Sequence, residues 1–370
     1  MSGLCVPAND SKSSIFSFEN IHQAYLDCRK NKRNTINALR IEINAADNII
    51  QLARELLNKT YHPSRSILFT VTKPKKREIF AADFRDRIVH HLLVDQLEKV
   101  FEPVFIHDSY ACRRGKGTHC AKERLGKFTR QITKNGQIRA YYLQLDIKNF
   151  FPTINKEILF GQISRKVDDP EILWLTQKVL FWDCTKSYVS RGDISLLSQI
   201  PNHKSLFGKE NKCGLPIGNL TSQFFANVYL NELDQFVKHT LKCRYYVRYV
   251  DDFVILDEDP GKLVKIREEI GEFVIRRLKL RLHPDRRKLL PIANGIDFLG
   301  YIVRPKYVLV RRRVVNNFKA KLRMFIGGKL DKEKIKATIA SYLGHLRHAN
   351  CYRLKEKLLR NIAKEVLPWI

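Results

Sequence analysis

Two adjacent aspartates interrupt an apolar run in this chain. Asp251 and Asp252 lie in RYYVRYVDDFVIL, residues 244–256, between stretches of Val, Tyr, Phe, Ile and Leu. Two like charges side by side in a partly buried strand pair are unfavourable unless a bound cation neutralises them. A hairpin turn, in which Asp is common, is the alternative explanation of the same pattern.

A second apolar segment carries a third carboxylate. In YYLQLDIKNFF, residues 141–151, Asp146 ends an alternating strand pattern. A lone aspartate at a strand end usually caps or turns the chain, but two such segments in one basic chain favour a shared site. If the two strands are neighbours, three carboxylates converge, and oxygen ligands of this kind suit Mg²⁺. Two such ions activate a 3′ hydroxyl and stabilise a departing pyrophosphate, so the predicted chemistry is nucleotidyl transfer.

The charge balance indicates a polyanionic partner. The 370 residues include 67 Lys and Arg against 38 Asp and Glu, a formal net charge of +29. The excess is spread along the chain and is strongest over residues 304–370, which favours nucleic acid over a membrane surface. No apolar run is long enough for a membrane span, and the first residues lack the apolar core of a secretory signal. We therefore expect a cytoplasmic protein.

Hydrophobic periodicity predicts a mixed α+β chain with a helical, basic C-terminal part. The pattern does not fit a Rossmann sheet, and neither GxGxxG nor GxxxxGK[ST] occurs, which disfavours a P-loop enzyme. We predict helices over residues 36–60, 85–101, 171–182, 219–238 and 261–280 and from 311 onward. We predict strands around a basic turn at 73–77, over 141–147, within 244–256, and over 296–303 and 306–310, with a loop or small hairpin at 183–213.

Several motifs of this chain together resemble those of reverse transcriptases. YVDD resembles their YxDD box and LQLDIKNFFPTI their first catalytic strand. KPKKR with DFR, SYACRRGKGTH, RLKLRLHPDRRKL and IDFLGYIV resemble further boxes, in the expected order over roughly residues 65–360. The resemblance implies an α+β right-hand polymerase fold. It implies an N-terminal helical extension (1–64), fingers (65–140), a palm with an antiparallel sheet and helices on one face (141–303, with a fingers insertion at about 183–213) and a helical basic thumb (304–370).

The resemblance also implies roles for individual residues. Asp146, Asp251 and Asp252 would be the catalytic carboxylates and, with the Ile147 carbonyl, would bind two Mg²⁺ ions, for which Mn²⁺ can substitute. The residues implied to contact the incoming deoxynucleotide are Lys73, Arg77, Phe151, Ile217, Gly218 and Gln223. Those implied to contact template and primer are Arg113, Arg114, Lys116, Arg311, Arg312, Arg313 and Lys319.

Simpler explanations remain open for some of these residues. Lys73 and Arg77 also fit a solvated basic turn, and Phe151 also fits core packing. Gln223 also fits helix capping or packing at the start of a helix. Phe151 is preferred over Phe150, which would point to the other face of an extended segment.

The segment GLPIGNLTSQ, residues 214–223, suggests the subfamily. Group II intron-type enzymes mostly show QGxxxSP here, whereas this chain has Ile217 in place of the Gln and Gln223 in place of the Pro. This variant resembles the reverse transcriptases of diversity-generating retroelements. It implies an RNA-directed DNA polymerase of a bacterial or phage-infected cell that copies a template-repeat RNA into error-prone cDNA. The implied nucleic-acid partners are template RNA, cDNA and RNA–DNA hybrid. The implied protein partner is a basic, oligomeric accessory variability determinant. The alternatives are a group II intron-like or phage-defence reverse transcriptase and a non-catalytic RNA-binding protein.

Overall fold

The computed structural model describes residues 14–30, 36–73 and 75–365. These residues form two compact units. The first contains the described residues up to Phe105, together with Asn149–Glu232 and Ile275–Leu280. The second contains Ile106–Lys148, Leu233–Val274 and the described residues from Arg281 onward. Residues 1–13 and 31–35 of the predicted N-terminal extension, Pro74 of the basic turn and the last five residues of the predicted thumb lie outside the described residues.

Helices account for about half of the described chain. In chain order they are α1 (Phe18–Arg29), α2 (Ile36–Ile43), α3 (Ala45–Leu57), α4 (Phe84–Phe101), α5 (Thr118–Ile132), α6 (Phe150–Thr153), α7 (Lys156–Ser164), α8 (Pro170–Leu180), α9 (Leu220–Gln235), α10 (Pro260–Leu278), α11 (Arg312–Ile326), α12 (Lys332–Leu346) and α13 (Tyr352–Glu365). A π-helical segment, Phe236–Thr240, extends α9. Within the described residues, no helix is both long and apolar enough to cross a membrane.

Ten short strands form three sheets in the described chain. They are β1 (Ser66–Val71), β2 (Arg77–Ala81), β3 (Tyr141–Asp146), β4 (Tyr188–Ser190), β5 (Tyr245–Tyr249), β6 (Asp252–Asp257), β7 (Lys288–Pro291), β8 (Ile296–Phe298), β9 (Tyr301–Val303) and β10 (Val308–Val310). The sheet orders are β2–β1–β4, β5–β6–β3–β7 and β10–β9–β8.

The first unit contains the sheet β2–β1–β4. β1 and β2 are antiparallel, with Val71 opposite Arg77, so the predicted basic turn joins them. The prediction of a loop or hairpin at 183–213 is wrong in one respect, because β4 within it pairs in parallel with β1. Pairing between strands more than one hundred residues apart leaves no local periodicity to detect.

The predicted single helix over 36–60 is two helices. α2 ends at Ile43 and α3 begins at Ala45, because Asn44 between them has a non-helical backbone (φ −128°, ψ 52°). Asparagine readily leaves helical geometry, since its short polar side chain competes for backbone hydrogen bonds.

The second unit is built on the four-stranded sheet, which is antiparallel at every pairing. Tyr142, Val247 and Val254 of this sheet belong to one buried cluster with Leu125 and Phe128 of α5. α5 packs against β5 and β6. The antiparallel sheet predicted for the palm is therefore present, with a helix covering one face.

A hairpin replaces the strand predicted over 296–303. β8 and β9 are joined by Leu299 and Gly300, both with positive φ (52° and 88°), and Phe298 pairs with Tyr301. Positive φ at both central residues is the geometry of a type I′ hairpin turn. The prediction missed this turn because its first central residue is Leu rather than Asn or Asp.

Three histidines join α5, β9 and the end of α12 in the second unit. The rings of His119 and His348 stack with centroids 3.6 Å apart. The Tyr301 hydroxyl lies 3.3 Å from Nδ1 of His119 and 3.0 Å from Nδ1 of His345. Burial lowers the pKa of His119 and of His345, and the nearby charges of Lys122 and the other histidines lower both further.

We expect acidification to destabilise this cluster. Because the folded-state pKa values of His119 and His345 are depressed, the unfolded chain binds more protons below about pH 6.5, and stability falls as the pH decreases through that range. Replacing His119 by Gln should therefore reduce the loss of Tm between pH 7.5 and 5.5, measured by thermal unfolding. His203→Gln, at an exposed position, should leave that loss as in the wild type. An unchanged pH dependence in the His119 variant would contradict the assignment.

Candidate active site

Asp146 and Asp252 lie directly opposite each other on neighbouring strands. β3 ends at Asp146 and β6 begins at Asp252, and the two residues are partners in the antiparallel register. The Ile147 N–H donates to the Asp251 carbonyl at 3.3 Å, which continues the pairing by one step. The two acidic segments are thus neighbours, as the sequence predicted. In detail, Asp252 belongs to the strand and the two-residue turn is Val250–Asp251.

Asp146 has a cationic partner from the segment after α10. Nη1 of Arg286 donates to Oδ2 of Asp146 at 2.6 Å. The backbone of the same segment is attached as well, because the His283 N–H donates to the Asp146 carbonyl at 2.8 Å. Arg286 therefore places one positive charge among the carboxylates.

Asp252 has a neutral partner, Gln144. Nε2 of Gln144 donates to Oδ1 of Asp252 at 3.0 Å and lies 3.2 Å from the Asp297 carbonyl oxygen. Oε1 of Gln144 is buried and has no hydrogen-bond partner among the described residues. Gln144 and Asp146 share one face of β3, because side chains two apart on a strand point the same way.

The environment of Asp252 opposes its ionisation. Burial raises the pKa of Asp252 to about 7, and the negative charges of Asp146 and Asp251 raise it too, whereas the Gln144 hydrogen bond and Arg286 act in the opposite direction. A carboxylate whose pKa is raised by burial and by neighbouring negative charges is one that a nearby cation stabilises strongly.

The donor set fits Mg²⁺. Among the described residues, no three side chains of His, Cys, Asp or Glu already surround a common metal position. Mg²⁺ is usually held by only one or two carboxylates, with waters and substrate phosphates completing its shell. Asp146, Asp251, Asp252 and the Ile147 carbonyl are oxygen donors of this kind, and Asp146 and Asp252 are direct partners in the strand register.

Three of the residues predicted to contact the nucleotide are linked through backbone contacts in the first unit. The Ile217 carbonyl accepts from the Phe80 N–H at 3.1 Å, and the Phe151 carbonyl accepts from the Leu215 N–H at 2.9 Å. Gly218 has φ +120°, and a Cβ there would lie 2.7 Å from Cγ2 of Ile79. The segment 215–218 therefore joins β2 to α6.

The other predicted nucleotide contacts are at the surface of the same unit. Lys73 and Arg77 are exposed at the turn before β2, and Gln223 is exposed on the first turn of α9. Phe150 and Phe151 are on the helical turn α6 and not in an extended segment, so the reason for preferring Phe151 was wrong. Their burial nevertheless differs in the expected sense, because Phe150 is buried and Phe151 is partly exposed.

In the second unit, two of the residues predicted to contact template support their own loop. The Arg113 guanidinium donates to the carbonyls of Ile106 and Ser109 at 2.7 and 2.9 Å. Lys116 donates to the His107 carbonyl and lies over the ring of Tyr110. Their charges thus stay on the loop, while Arg114 between them is exposed.

The basic residues at the start of α11 differ in exposure. Arg311 pairs with Asp297 at 2.9 Å between Nη2 and Oδ2. Arg312, Arg313 and Lys319 are exposed. These three residues form a positively charged surface suited to a phosphate backbone.

Sequence reasoning missed three side chains near the carboxylates. Gln144 was detectable as a polar residue two positions before Asp146, hence on the same strand face. Arg286 was detectable as part of the basic segment HPDRRKL. Arg248, which is fully buried next to the YVDD turn, had no detectable signal, since its partner Asp234 lies on another element.

Comparison with solved structures defines the class of fold. The apo telomerase of Candida tropicalis superposes with a TM-score of 0.50 at 12% sequence identity, covering 82% of this chain and 60% of that one. Together with the antiparallel sheet and its helices, this establishes the α+β right-hand polymerase fold.

The family follows from the sequence. Residues 71–303 match the family model described as reverse transcriptase (RNA-dependent DNA polymerase), so the chain belongs to the reverse transcriptase family. Protein YkfC of Escherichia coli is 25% identical over 317 residues, covering 76% of this chain and 78% of its own length. The group II intron-encoded protein LtrA of Lactococcus lactis is 22% identical over 323 residues, covering 70% of this chain. The chain spans only 50% of the length of LtrA.

We expect Gly218→Ala to destabilise the protein more than an unhindered glycine substitution. A Cβ at 218 meets Ile79 at 2.7 Å in addition to requiring positive φ, whereas at Gly192 φ is +82° but nothing lies within 4 Å of the added atom. Thermal unfolding should show a larger loss of Tm for Gly218→Ala than for Gly192→Ala. Equal losses of Tm in the two variants would contradict this expectation, because they would mean that the segment 215–218 moves away from β2 without a cost in free energy.

Asp252→Asn should remove a pH-dependent and metal-dependent term in stability. Because the folded-state pKa is raised, the folded protein holds an extra proton between about pH 4 and 7, and stability without metal falls as the pH rises through that window. With EDTA, the variant should exceed the wild type in Tm at pH 8 by about 2 °C or more, a shift of ~1 kcal/mol. Mg²⁺ should raise the Tm of the wild type only. A variant that responds to pH and Mg²⁺ like the wild type would exclude Asp252 from the site.

Proposed function

We propose that the chain polymerises DNA on an RNA template at the carboxylates of β3 and β6, by a two-metal mechanism. The observation that carries this proposal is the register that sets Asp146 opposite Asp252. The family match and the net charge of +29 support it independently.

Each residue has a specific task in this proposal. Asp146, Asp251 and Asp252, with the Ile147 carbonyl, would hold two Mg²⁺ ions. When bound, such ions lower the pKa of the attacking 3′ hydroxyl and neutralise the departing pyrophosphate. Gln144 orients Asp252 by its hydrogen bond, and Arg286 adds a positive charge beside Asp146.

The proposed nucleotide contacts divide by chemistry. Lys73 and Arg77 would neutralise the triphosphate. Phe151 would exclude a ribose 2′ hydroxyl by its bulk. Ile217, Gly218 and Gln223 would border the incoming base and its template partner. Arg114, Arg312, Arg313 and Lys319 would hold template and primer phosphates, with Arg113, Lys116 and Arg311 supporting them.

Within the family, we favour a diversity-generating retroelement enzyme. The observation behind this choice is Ile217 with Gln223 in GLPIGNLTSQ. A polar side chain at 217 would be left without its partner by a wrong base pair, which would penalise that pair. An apolar side chain at 217 carries no such penalty, so base selection is looser. The proposed product is error-prone cDNA of a template-repeat RNA, made together with a basic, oligomeric accessory protein.

A group II intron-like or phage-defence role is the second candidate. It is favoured by the group II intron-encoded relative LtrA and by the similarity to nuclear intron maturase 2 of Arabidopsis thaliana, 22% identical over 402 residues. The resemblance to diversity-generating retroelement enzymes implies errors at template adenines, whereas an enzyme of the second kind would copy adenines as accurately as other template bases. The spectrum of errors therefore separates the two candidates.

Primer extension tests the polymerase assignment. With an RNA template, a DNA primer and Mg²⁺, the wild type should extend the primer, and Asp146→Asn or Asp252→Asn should reduce the rate at least about a thousandfold. Asp257→Asn, at the opposite end of β6 and paired with Lys262, is the matched control and should keep most of the activity. Equal activity in all three variants would refute the assignment.

Sequencing of the cDNA tests the subtype. Ile217→Gln should lower misincorporation opposite template adenines by about tenfold, because one restored polar contact contributes ~1–2 kcal/mol of discrimination. Ile217→Leu keeps the position apolar and should leave the errors as in the wild type. If Gln at 217 leaves the error spectrum unchanged, the retroelement assignment loses its basis.

A further inference from the structure

The turn that carries Asp251 has an unfavourable backbone. Tyr249 pairs with Asp252, so Val250 and Asp251 are the two central residues of the β5–β6 turn. Val250 has φ +55°, whereas Asp251 is not among the residues with positive φ. Positive φ at the first central position is the type II′ arrangement, where glycine is usual. A β-branched residue persists in this region only when its surroundings enforce it.

Arg248 provides such a constraint. Its Nη1 donates to the Val250 carbonyl at 3.0 Å. The same guanidinium donates from Nε and Nη2 to the two carboxylate oxygens of Asp234, at 2.7 and 2.6 Å, and from Nη2 to Oγ of Ser109 at 3.0 Å. Arg248 and Asp234 are both 0% exposed. The bidentate pair therefore fixes the plane of the guanidinium and the direction of the remaining donor.

Stability alone does not explain a fully buried Arg–Asp pair. Desolvating two charges offsets most of their attraction, and apolar residues of similar size often replace such pairs without loss. Only the planar fork of arginine can bind a carboxylate with two donors and a carbonyl with a third, because a lysine ammonium is a point charge. The pattern of partners, one of which is the strained turn, therefore indicates a positional role.

The backbone of Arg248 joins the turn to the loop that carries Arg113, Arg114 and Lys116. Its N–H donates to the Asp108 carbonyl at 3.0 Å, and its carbonyl accepts from the Tyr110 N–H at 3.0 Å. The Ser109 carbonyl in turn accepts from Arg113. The turn and the loop thus share one buried attachment point.

We propose that Arg248 is a positioning residue of the polymerase: held by Asp234, it fixes the Val250 carbonyl and so keeps the Val250–Asp251 turn in the geometry that presents Asp251 and Asp252. This inference rests on the proposed function and deepens it. Arg248 acts through the turn and has no contact with substrate.

The test uses the full chain and combines two substitutions with a matched control. Arg248→Lys removes the planar guanidinium that binds Asp234 and the Val250 carbonyl together. Val250→Gly removes the backbone strain at position 250, since glycine adopts positive φ readily. Tyr246→Phe is the control, because it removes a buried hydroxyl that donates to Oδ1 of Asp234 at 2.7 Å and also hydrogen-bonds Arg248, while the guanidinium and its donor to Val250 stay in place. The readouts are kcat and KM for deoxynucleotide in primer extension, and hydrogen exchange of the peptide spanning residues 249–253 without metal.

Arg248→Lys should lower kcat about a hundredfold with little change in KM, since misplacement by about 1 Å has this effect. It should also accelerate exchange in residues 249–253. Tyr246→Phe should lower Tm but keep kcat within about threefold. In the Val250→Gly background, the effect of Arg248→Lys on kcat should shrink to about tenfold or less.

Two outcomes would overturn the inference. One is an equal loss of kcat from Arg248→Lys with valine and with glycine at 250, and the other is an equal loss from Tyr246→Phe. If Arg248→Lys does not fold, Asp234→Asn takes its place. Asp234→Asn should lower kcat by a smaller factor than Arg248→Lys, and Val250→Gly should again reduce that loss. A wild type without polymerase activity would refute the proposed function instead, while hydrogen exchange would still test the contact.

Discussion

The second unit depends on keeping carboxylates together at adjacent ends of the two central strands of an apolar sheet. Asp146 and Asp252 face each other across one strand pairing with Asp251 beside them; Asp146 is buried and Asp252 is partly buried. Like charges in such surroundings repel strongly, because the effective dielectric constant is far below that of water. The sheet tolerates them through Arg286 and Gln144, and a divalent cation would stabilise them further. A purely structural sheet would have no reason to retain this arrangement.

Two neighbouring residues in the segment 215–218 differ in how strongly the fold constrains their side chains. The Phe80 N–H binds the Ile217 carbonyl, a backbone group that any residue would supply. Gly218, in contrast, is required by its positive φ and by the nearby Ile79. The side chain at 217 is therefore able to differ between related enzymes without altering the fold. A residue of this kind is suited to setting the selectivity of a polymerase.

Local patterns predicted much of the architecture. The alternation before Asp146, the apolar strands around Asp251 and Asp252, and the helices with apolar spacing all correspond to observed elements. Predictions failed where the chain departs from local rules. Leu299 occupies a type I′ turn position, Asn44 interrupts a regular apolar pattern, and β4 pairs with a distant strand. Domain boundaries inferred from the family remain predictions beside the two compact units.

The sequence by itself determined which chemistry is possible, because three carboxylates in two apolar segments of a strongly basic chain require cations and a polyanion. It also determined the family, because the motifs occur in order along one chain. Only the tertiary structure decided the register of β3 and β6 and the partners Gln144, Arg286 and Arg248. These pairings join residues from 14 to 140 positions apart, and hydrogen-bond geometry over such separations depends on how the elements pack. Side-chain types alone carry no record of that packing.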